Sequence, residues 1–514
     1  MTTGTDRYGR TADSVLRWAG KTPHAPALWW NGAPTSYREL ADATAAARAR
    51  LAEHVPVGAT VAVLDDKSPG TIATVLACLA SGRPALLPSP TLPPDHLAAV
   101  MAEAGCRYAL TGATVTATGT ERPGAAVPPG TALVLTTSGS TGIPKAVPLP
   151  HRAVDAFTDW AAEAFGITGS TPVLNYAPLN FDLCLLDVWT TLAHGGQVVL
   201  VDAPTAAAGP RLLRLLRTHR VEVVQAVPLF YALVCAQARA EGGGPLETVR
   251  HAAFTGDVLP EQVLANLAEL APGARLHNIY GCTETNDSLI HEVDRSLPSP
   301  VPMPLGRALP GVRLRLREPD GGLLTGPGRG ELEVSTPFQS TGYADPRRAA
   351  EKFVPDPVPD PAPDPDPAPS PAQDGGAGAW WFRTGDLVER DADGTLRLVG
   401  RLDHQVKIRG VAVNTGEVEQ VLLEHPEVLE AGVTTVPDPV EGRRLVAVVR
   451  LAATSTATSL DLKRHCTARL ARGWVPGVLT PLREPLPRTS TGKVDRRALA
   501  TAARPAGAVS AAAP

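Results

Sequence analysis

Between residue 27 and about residue 200, short apolar runs alternate with amphipathic stretches. VAVLDD (61–66) and PALLP (84–88) have the length and composition of buried strands, whereas TIATVLACLASG (71–82) and DHLAAVMAEAG (95–105) carry apolar positions at helical spacing. Strand followed by helix, repeated, predicts parallel sheets layered with helices on both faces. The rhythm returns in RLLRLLRTHRVEVVQAV (211–227), an amphipathic helix running into a strand. After Gly400 the elements become shorter and more charged. VNTGEVEQVLLEHPEVLEAGV (413–433) predicts a helix from Glu417 and a following strand, and LKRHCTARLARGW (462–474) predicts another helix. The fold class is therefore α/β, a large N-terminal domain over 1–402 and a small α+β C-terminal domain over 403–504. VPDPVPDPAPDPDPAPSP and the glycines after it make 354–378 a solvated surface insertion, since alternating proline supports neither helix nor ladder. The Ala/Pro-rich tail, 505–514, is expected to be disordered.

The 514 residues exceed what one hydrophobic core organises, in keeping with two domains. A net charge of only −4 gives no reason to expect a nucleic acid or an anionic membrane as partner. Six scattered cysteines without a C-x-x-C pair read as free thiols of a reducing compartment. With no basic-then-apolar leader and no apolar run of about 18 residues, a soluble cytoplasmic protein is expected. Lysine occurs only seven times, so each retained ammonium is a candidate for coordinating phosphate as a point charge.

One such lysine closes LVLTTSGSTGIPK (133–145). An apolar strand enters a loop in which Gly139 and Gly142 let backbone amides approach an anion. Thr137, Ser138, Ser140 and Thr141 add donors and Lys145 adds charge, a combination suited to a polyphosphate. The Walker A spacing is absent, because Ala146 follows the lysine. Taken alone, the loop also reads as a flexible surface turn.

TSGSTGIPK resembles the signature loop of the adenylate-forming superfamily: acyl-CoA synthetases, luciferases and the adenylation domains of nonribosomal peptide synthetases. Five further motifs follow in the family's order: NFDLCLLDVW (180–189), NIYGCTETND (278–287), FRTGDL (382–387), GRLDHQVKIRG (400–410) and PRTSTGKVDR (487–496). The resemblance implies a distorted barrel within the large domain, a mobile small domain, and ATP and Mg2+ as cofactors. It makes Glu284 the ligand of Mg2+ on the phosphates, sets Thr283 on the α-phosphate, and puts Gly256, Asn278, Tyr280 and Gly281 around the nucleotide. Asp386 would accept from both ribose hydroxyls, with Arg401 reaching the ribose or phosphate and Asp403 at the hinge. Lys493 is implied as the catalytic lysine, an ammonium where negative charge accumulates as one anion attacks another. Lys407 reads as structural, or as lying near the incoming thiol.

The same resemblance puts Asp182 where amino-acid-activating members pair with the substrate ammonium, and a buried charge needs such a partner. The rest of the pocket would be Leu183, Leu186, Ala226, Ala253, Thr255, Ile279, Asp287 and Ser288. Leu186 and Ile279 would fill space, which implies a small neutral amino acid, L-alanine first, then glycine or serine. Asp287 departs from that pattern and would suit a second polar group or the amino group of a β-amino acid. Ala146, Cys282, Asp257 and Asn414-Thr415 also depart from the family's usual residues without removing a catalytic group. No carrier signature follows Arg496, so the thiol acceptor is expected to be a discrete carrier protein bearing phosphopantetheine. The alternatives are an acyl- or aryl-CoA ligase and a non-catalytic nucleotide or amino-acid sensor.

Overall fold

The computed structural model describes residues 9–90, 92–118, 127–137, 144–296, 303–356, 380–402, 405–438, 442–452, 454–487, 494 and 496–502. The predicted rhythm folds into two α/β sheets. The first has six strands in the order Thr114–Ala117, Tyr108–Thr111, Val61–Val63, Ala85–Leu86, Thr131–Thr137 and Lys145–Pro150. Its inner four strands are parallel and both edge strands antiparallel. The second has nine strands, with a parallel centre of Pro26–Trp30, Gln197–Leu200, Pro172–Asn175, Val223–Ala226, His251–Thr255 and Arg275–Cys282. Helix Pro69–Leu79 is buried all round from Thr71 onward, because it is covered by helix Tyr37–His54 as well as by the six-stranded sheet. Such a helix reads as continuously apolar rather than striped.

Where the barrel was expected, the described residues form a five-stranded antiparallel sheet: Arg313–Arg317, Gly328–Ser335, Trp380–Arg390 and Phe353–Pro355, with Leu396–Arg401 paired to Trp380–Arg390. Val354 and Pro355 thus extend a strand, and Asp356 lies 3.5 Å from the Arg315 guanidinium. The rest of the proline-rich segment, 357–378, is outside the described residues, as is the tail 505–514.

The smaller C-terminal domain holds the hairpin Gln405–Ile408/Val411–Asn414 and a three-stranded sheet of Val428–Asp438, Gly442–Leu451 and Val478–Leu482. Its first helix begins at Thr415, two residues before the expected start, because the Asn414 side chain caps it by accepting from the Gly416 amide at 2.9 Å. The helix expected over 462–474 spans Ser459–Thr467 instead. A capping box between Thr458 and Asp461 starts it early. Beyond it, Gly473 is a poor helix former and Pro476 holds Val475 extended (ψ 122°), leaving a single 3-10 turn at Arg472–Trp474.

Two glycines are close-approach positions. A Cβ on Gly410 would lie 2.3 Å from Val227 Cγ1, where the small domain's hairpin touches the large domain. A Cβ on Gly281 would lie 2.2 Å from the Asn286 carbonyl oxygen, inside the tight reversal joining Arg275–Cys282 to Asn286–Glu292. Gly281→Ala is therefore expected to lower stability by about 2–3 kcal/mol, measured as a reduced urea midpoint at unchanged slope. An unchanged midpoint would show that the reversal gives way freely.

Candidate active site

The carboxyl ends of strands from both α/β sheets open on one cavity of about 280 Å³. In open α/β sheets this is the usual location of a ligand crevice. The six-stranded sheet contributes Thr137 and Lys145, and the nine-stranded sheet contributes Thr255, Gly256 and the turn Gly281–Glu284. Asn180, Asp182 and Leu183 come from the segment following strand Pro172–Asn175. The five-stranded sheet adds Thr384, Asp386 and Arg401, and the small domain closes one side with Lys407, Gly410 and Trp474.

Five carboxylates border this space: Asp182, Glu284, Asp287, Asp386 and, from the small domain, Glu417. Glu284, Asp386 and Asp287 have side-chain partners. Glu284 Oε1 accepts from the Tyr343 hydroxyl at 2.6 Å, and the same ring lies 4.7 Å beneath Lys145 Nζ. Asp386 accepts from the Tyr280 hydroxyl at 2.5 Å and from the Arg401 guanidinium, while Arg401 Nη2 also donates to the Thr384 carbonyl at 3.0 Å. Asp287 Oδ2 accepts from Gln225 Nε2 at 3.1 Å. Among the described residues Asp182 accepts hydrogen bonds from the backbone amides of residues 182 and 183 and from no side chain. Burial pushes its carboxyl up to about 6, opposed by Lys407 and reinforced by Glu284. Burial, with Asp182 adding to it, pushes Asp287 up to about 7. Lys407 Nζ reaches the Gly281 carbonyl at 3.5 Å.

The Asp182 segment is held from behind. Lys67, on the loop after strand Val61–Val63, donates to Asn175 Oδ1 at 2.8 Å and to the Ala177 carbonyl at 3.0 Å. Asn175 Nδ2 in turn donates to Asp187 Oδ2 at 3.0 Å. Enclosure lowers the Lys67 ammonium and raises the Asp187 carboxyl. Asp187 sits in a π-helical stretch, Leu185–Thr190, whose wide turn is closed by Thr190 Oγ1 donating to the Leu185 carbonyl at 2.7 Å. Such stretches cluster at functional sites.

Of the residues expected from the sequence, Thr137, Lys145, Asp182, Leu183, Thr255, Gly256, Gly281, Thr283, Glu284, Asp287, Asp386 and Arg401 meet at the cavity. Leu186, Ala226, Ala253, Ile279 and Ser288 are buried behind the wall and do not border it. Tyr280 is also set back, behind Asp386. Asn278 donates through Nδ2 to the Pro304 carbonyl at 2.9 Å. Ser138, Gly139, Ser140, Thr141, Gly142, Asp403 and Lys493 lie outside the described residues. Sequence reading did not find Gln225, Tyr343 or the Lys67–Asn175–Asp187 chain; the scarcity of lysine was the one available signal for Lys67.

Nucleotide and metal can be tested against this lining. Thr137 Oγ1 and Asn180 Oδ1 are buried without partners among the described residues, which suits a polar ligand. Glu284 keeps a second carboxylate oxygen beyond the one on Tyr343, and Mg2+ on phosphates takes one or two carboxylates and keeps waters. Among the described residues no cluster of three His, Cys, Asp or Glu side chains could hold a metal by itself. No helix there is long and apolar enough to cross a membrane.

Two α/β sheets with a smaller domain closing over their shared crevice are the architecture of an adenylate-forming enzyme. The sequence profile of the AMP-binding enzymes matches residues 15–127 and 118–344, and that of the AMP-binding enzyme C-terminal domain matches 417–493. The chain belongs to this family. It is 35% identical over 377 residues to an L-proline--[L-prolyl-carrier protein] ligase of Pseudomonas fluorescens, covering 72% of this chain and 68% of that one. It is 32% identical over 517 residues to the phenyloxazoline synthase MbtB of a Mycobacterium species, covering 95% of this chain but 41% of the relative's length. The crystal structure of IdnL1 superposes with a TM-score of 0.73 at 27% identity, over 93% of this chain and 99% of the other.

The raised carboxyl of Asp287 sets a stability trend. The folded group holds its proton up to about 7, whereas the unfolded one releases it near about 4. Between those values the folded state binds more protons, so this group's contribution to stability is lost as pH rises. Asp287→Asn removes the trend. Its stability relative to wild type should improve by about 2 kcal/mol between about pH 5 and about pH 8 in urea unfolding. A pH-independent difference would mean that Asp287 is ionised throughout.

Proposed function

We propose that this adenylate-forming enzyme activates a small amino acid and passes it to the phosphopantetheine thiol of a separate carrier protein. The observation that carries the reading is Asp182: a carboxylate facing the cavity, enclosed, with backbone amides as its hydrogen-bond donors and no side-chain ion pair among the described residues. An isolated buried carboxylate is costly, and a substrate ammonium would relieve it. Acyl and aryl substrates supply no such group. Amino-acid–carrier ligases among the relatives agree with this assignment.

In the first half-reaction a carboxylate oxygen of the amino acid attacks the α-phosphorus of ATP in line, and the bond to pyrophosphate breaks. Asp182 holds the ammonium, so the opposite end of the substrate meets the phosphate in a fixed orientation. Thr137, Thr283 and Lys145 hold phosphate oxygens, and Asp386 takes the ribose hydroxyls with lone pairs not used by Tyr280 and Arg401. Glu284 would hold Mg2+, which supplies charge neutralisation at the phosphates when bound. Lys493, with the small domain of 403–504 closing about Asp403, adds an ammonium to the charge accumulating between the two anions. In the second half-reaction the carrier's thiol sulfur attacks the aminoacyl carbonyl, its proton is lost, and AMP leaves.

Alanine is the occupant suggested by Asp182, Leu183 and Leu186. Of these leucines only Leu183 borders the cavity. Asp287 on the same lining favours a second reading, an amino acid with a further hydrogen-bond donor.

Amino-acid-dependent exchange of pyrophosphate into ATP tests the activity. Lys493→Ala should lower it by at least about 100-fold, and Asp182→Ala should remove the dependence on the amino group. Exchange supported equally by the matching carboxylic acid without that group would overturn the amino-acid reading. In the second half-reaction, labelled amino acid should appear on a carrier protein; thioester formation on coenzyme A alone would overturn that assignment.

A further inference from the structure

We propose that the cavity is built for a short diamino acid, with Asp182 taking one ammonium and Asp287 the other. The inference rests on the amino-acid reading above and names its substrate class. Asp287 is 8% exposed, borders the cavity, and has one side-chain partner among the described residues, the Gln225 amide. Gln225 is 1% exposed, and its Oε1 has no partner among the described residues. Asn180, 7% exposed on the cavity wall, likewise leaves Oδ1 unpartnered. The wall around Asp182 therefore presents acceptors in excess, two carboxylates and the Asn180 amide oxygen, with the Gln225 oxygen buried behind Asp287. A ligand that satisfies them must bring donors.

Charge narrows the choice. An alanine methyl group offers no donor and would leave a buried carboxylate against a hydrocarbon, the arrangement that discriminates most strongly against a ligand. A single ammonium, whether α or β, neutralises one carboxylate and leaves the second either ionised without a counter-charge or protonated. Two ammonium groups balance both. Lys407 opposes the rise at Asp182, but its Nζ donates to the Gly281 carbonyl at 3.5 Å. Length is limited as well, because the cavity of about 280 Å³ also borders the residues assigned to the nucleotide, and Leu183 occupies part of its wall.

The test is pyrophosphate exchange at neutral pH with diaminopropionate, diaminobutyrate, alanine, aminobutyrate and β-alanine, using wild type and Asp287→Asn. The readout is the ratio of kcat/KM for each diamino acid to that of its neutral counterpart within one protein, which cancels the fraction of folded enzyme. In wild type a diamino acid should lead by about 10-fold or more, and Asp287→Asn should reduce that ratio by about 10- to 100-fold. A wild-type preference for alanine, aminobutyrate or β-alanine, or a ratio unmoved by the substitution, overturns the diamino acid while leaving amino-acid activation standing. Exchange with none of the five also overturns the diamino acid; if glycine and serine fail as well, the amino-acid reading falls with it.

Discussion

Negative charge enclosed in a space of low dielectric is the constraint around which this molecule is arranged. Five carboxylates, Asp182, Glu284, Asp287, Asp386 and Glu417, border a single cavity, and an ion taken from water is tolerated only where something replaces the lost hydration. Different parts of the chain supply the replacements. Tyr343 serves Glu284, Gln225 serves Asp287, and Tyr280 with Arg401 serves Asp386. Since Tyr280 belongs to the nine-stranded sheet and Arg401 pairs within the five-stranded one, the Asp386 carboxylate also joins two sheets. Asp182 accepts from no side chain among the described residues, and the reading of the enzyme as amino-acid-activating follows from that.

The α/β rhythm was legible because it is local. Buried strands and helices announce themselves in windows of a few residues, and Asp182, Glu284 and Asp386 sit in short motifs whose spacing the chain preserves. The partners were not legible. Gln225 meets Asp287 across 62 residues, Tyr343 meets Glu284 across 59, and Lys67 meets Asn175 across 108. Nothing in a linear reading connects such pairs. Leu186 and Ile279 teach a different lesson: their bulk suggested a filled pocket, yet both are turned into the core behind the wall, Leu186 within the π-helical turn. The helix expected over 462–474 failed for a local reason, the glycine and proline that follow its third turn.

At the seam between the two domains the small domain's hairpin brings a glycine up to the large domain. Gly410, at the tip of the small domain's hairpin, approaches Val227, and Gly256, with φ +86°, lies against Gly410. With no side chain on the glycine, the hairpin can approach and withdraw while disturbing little packing. Lys407, three residues before Gly410, enters the cavity on the same hairpin, so its distance from Asp182 changes with any such movement.

Lys67 binds the backbone of 175–177 from a loop of the other α/β sheet, and Asn175 hands that restraint on to Asp187. The segment bearing Asp182 is therefore braced independently of the residues that line it. For engineering, this separates frame from lining: Leu183 and Asp287 are open to redesign of selectivity, whereas a pocket segment grafted into another scaffold would need Lys67, Asn175 and Asp187 to travel with it.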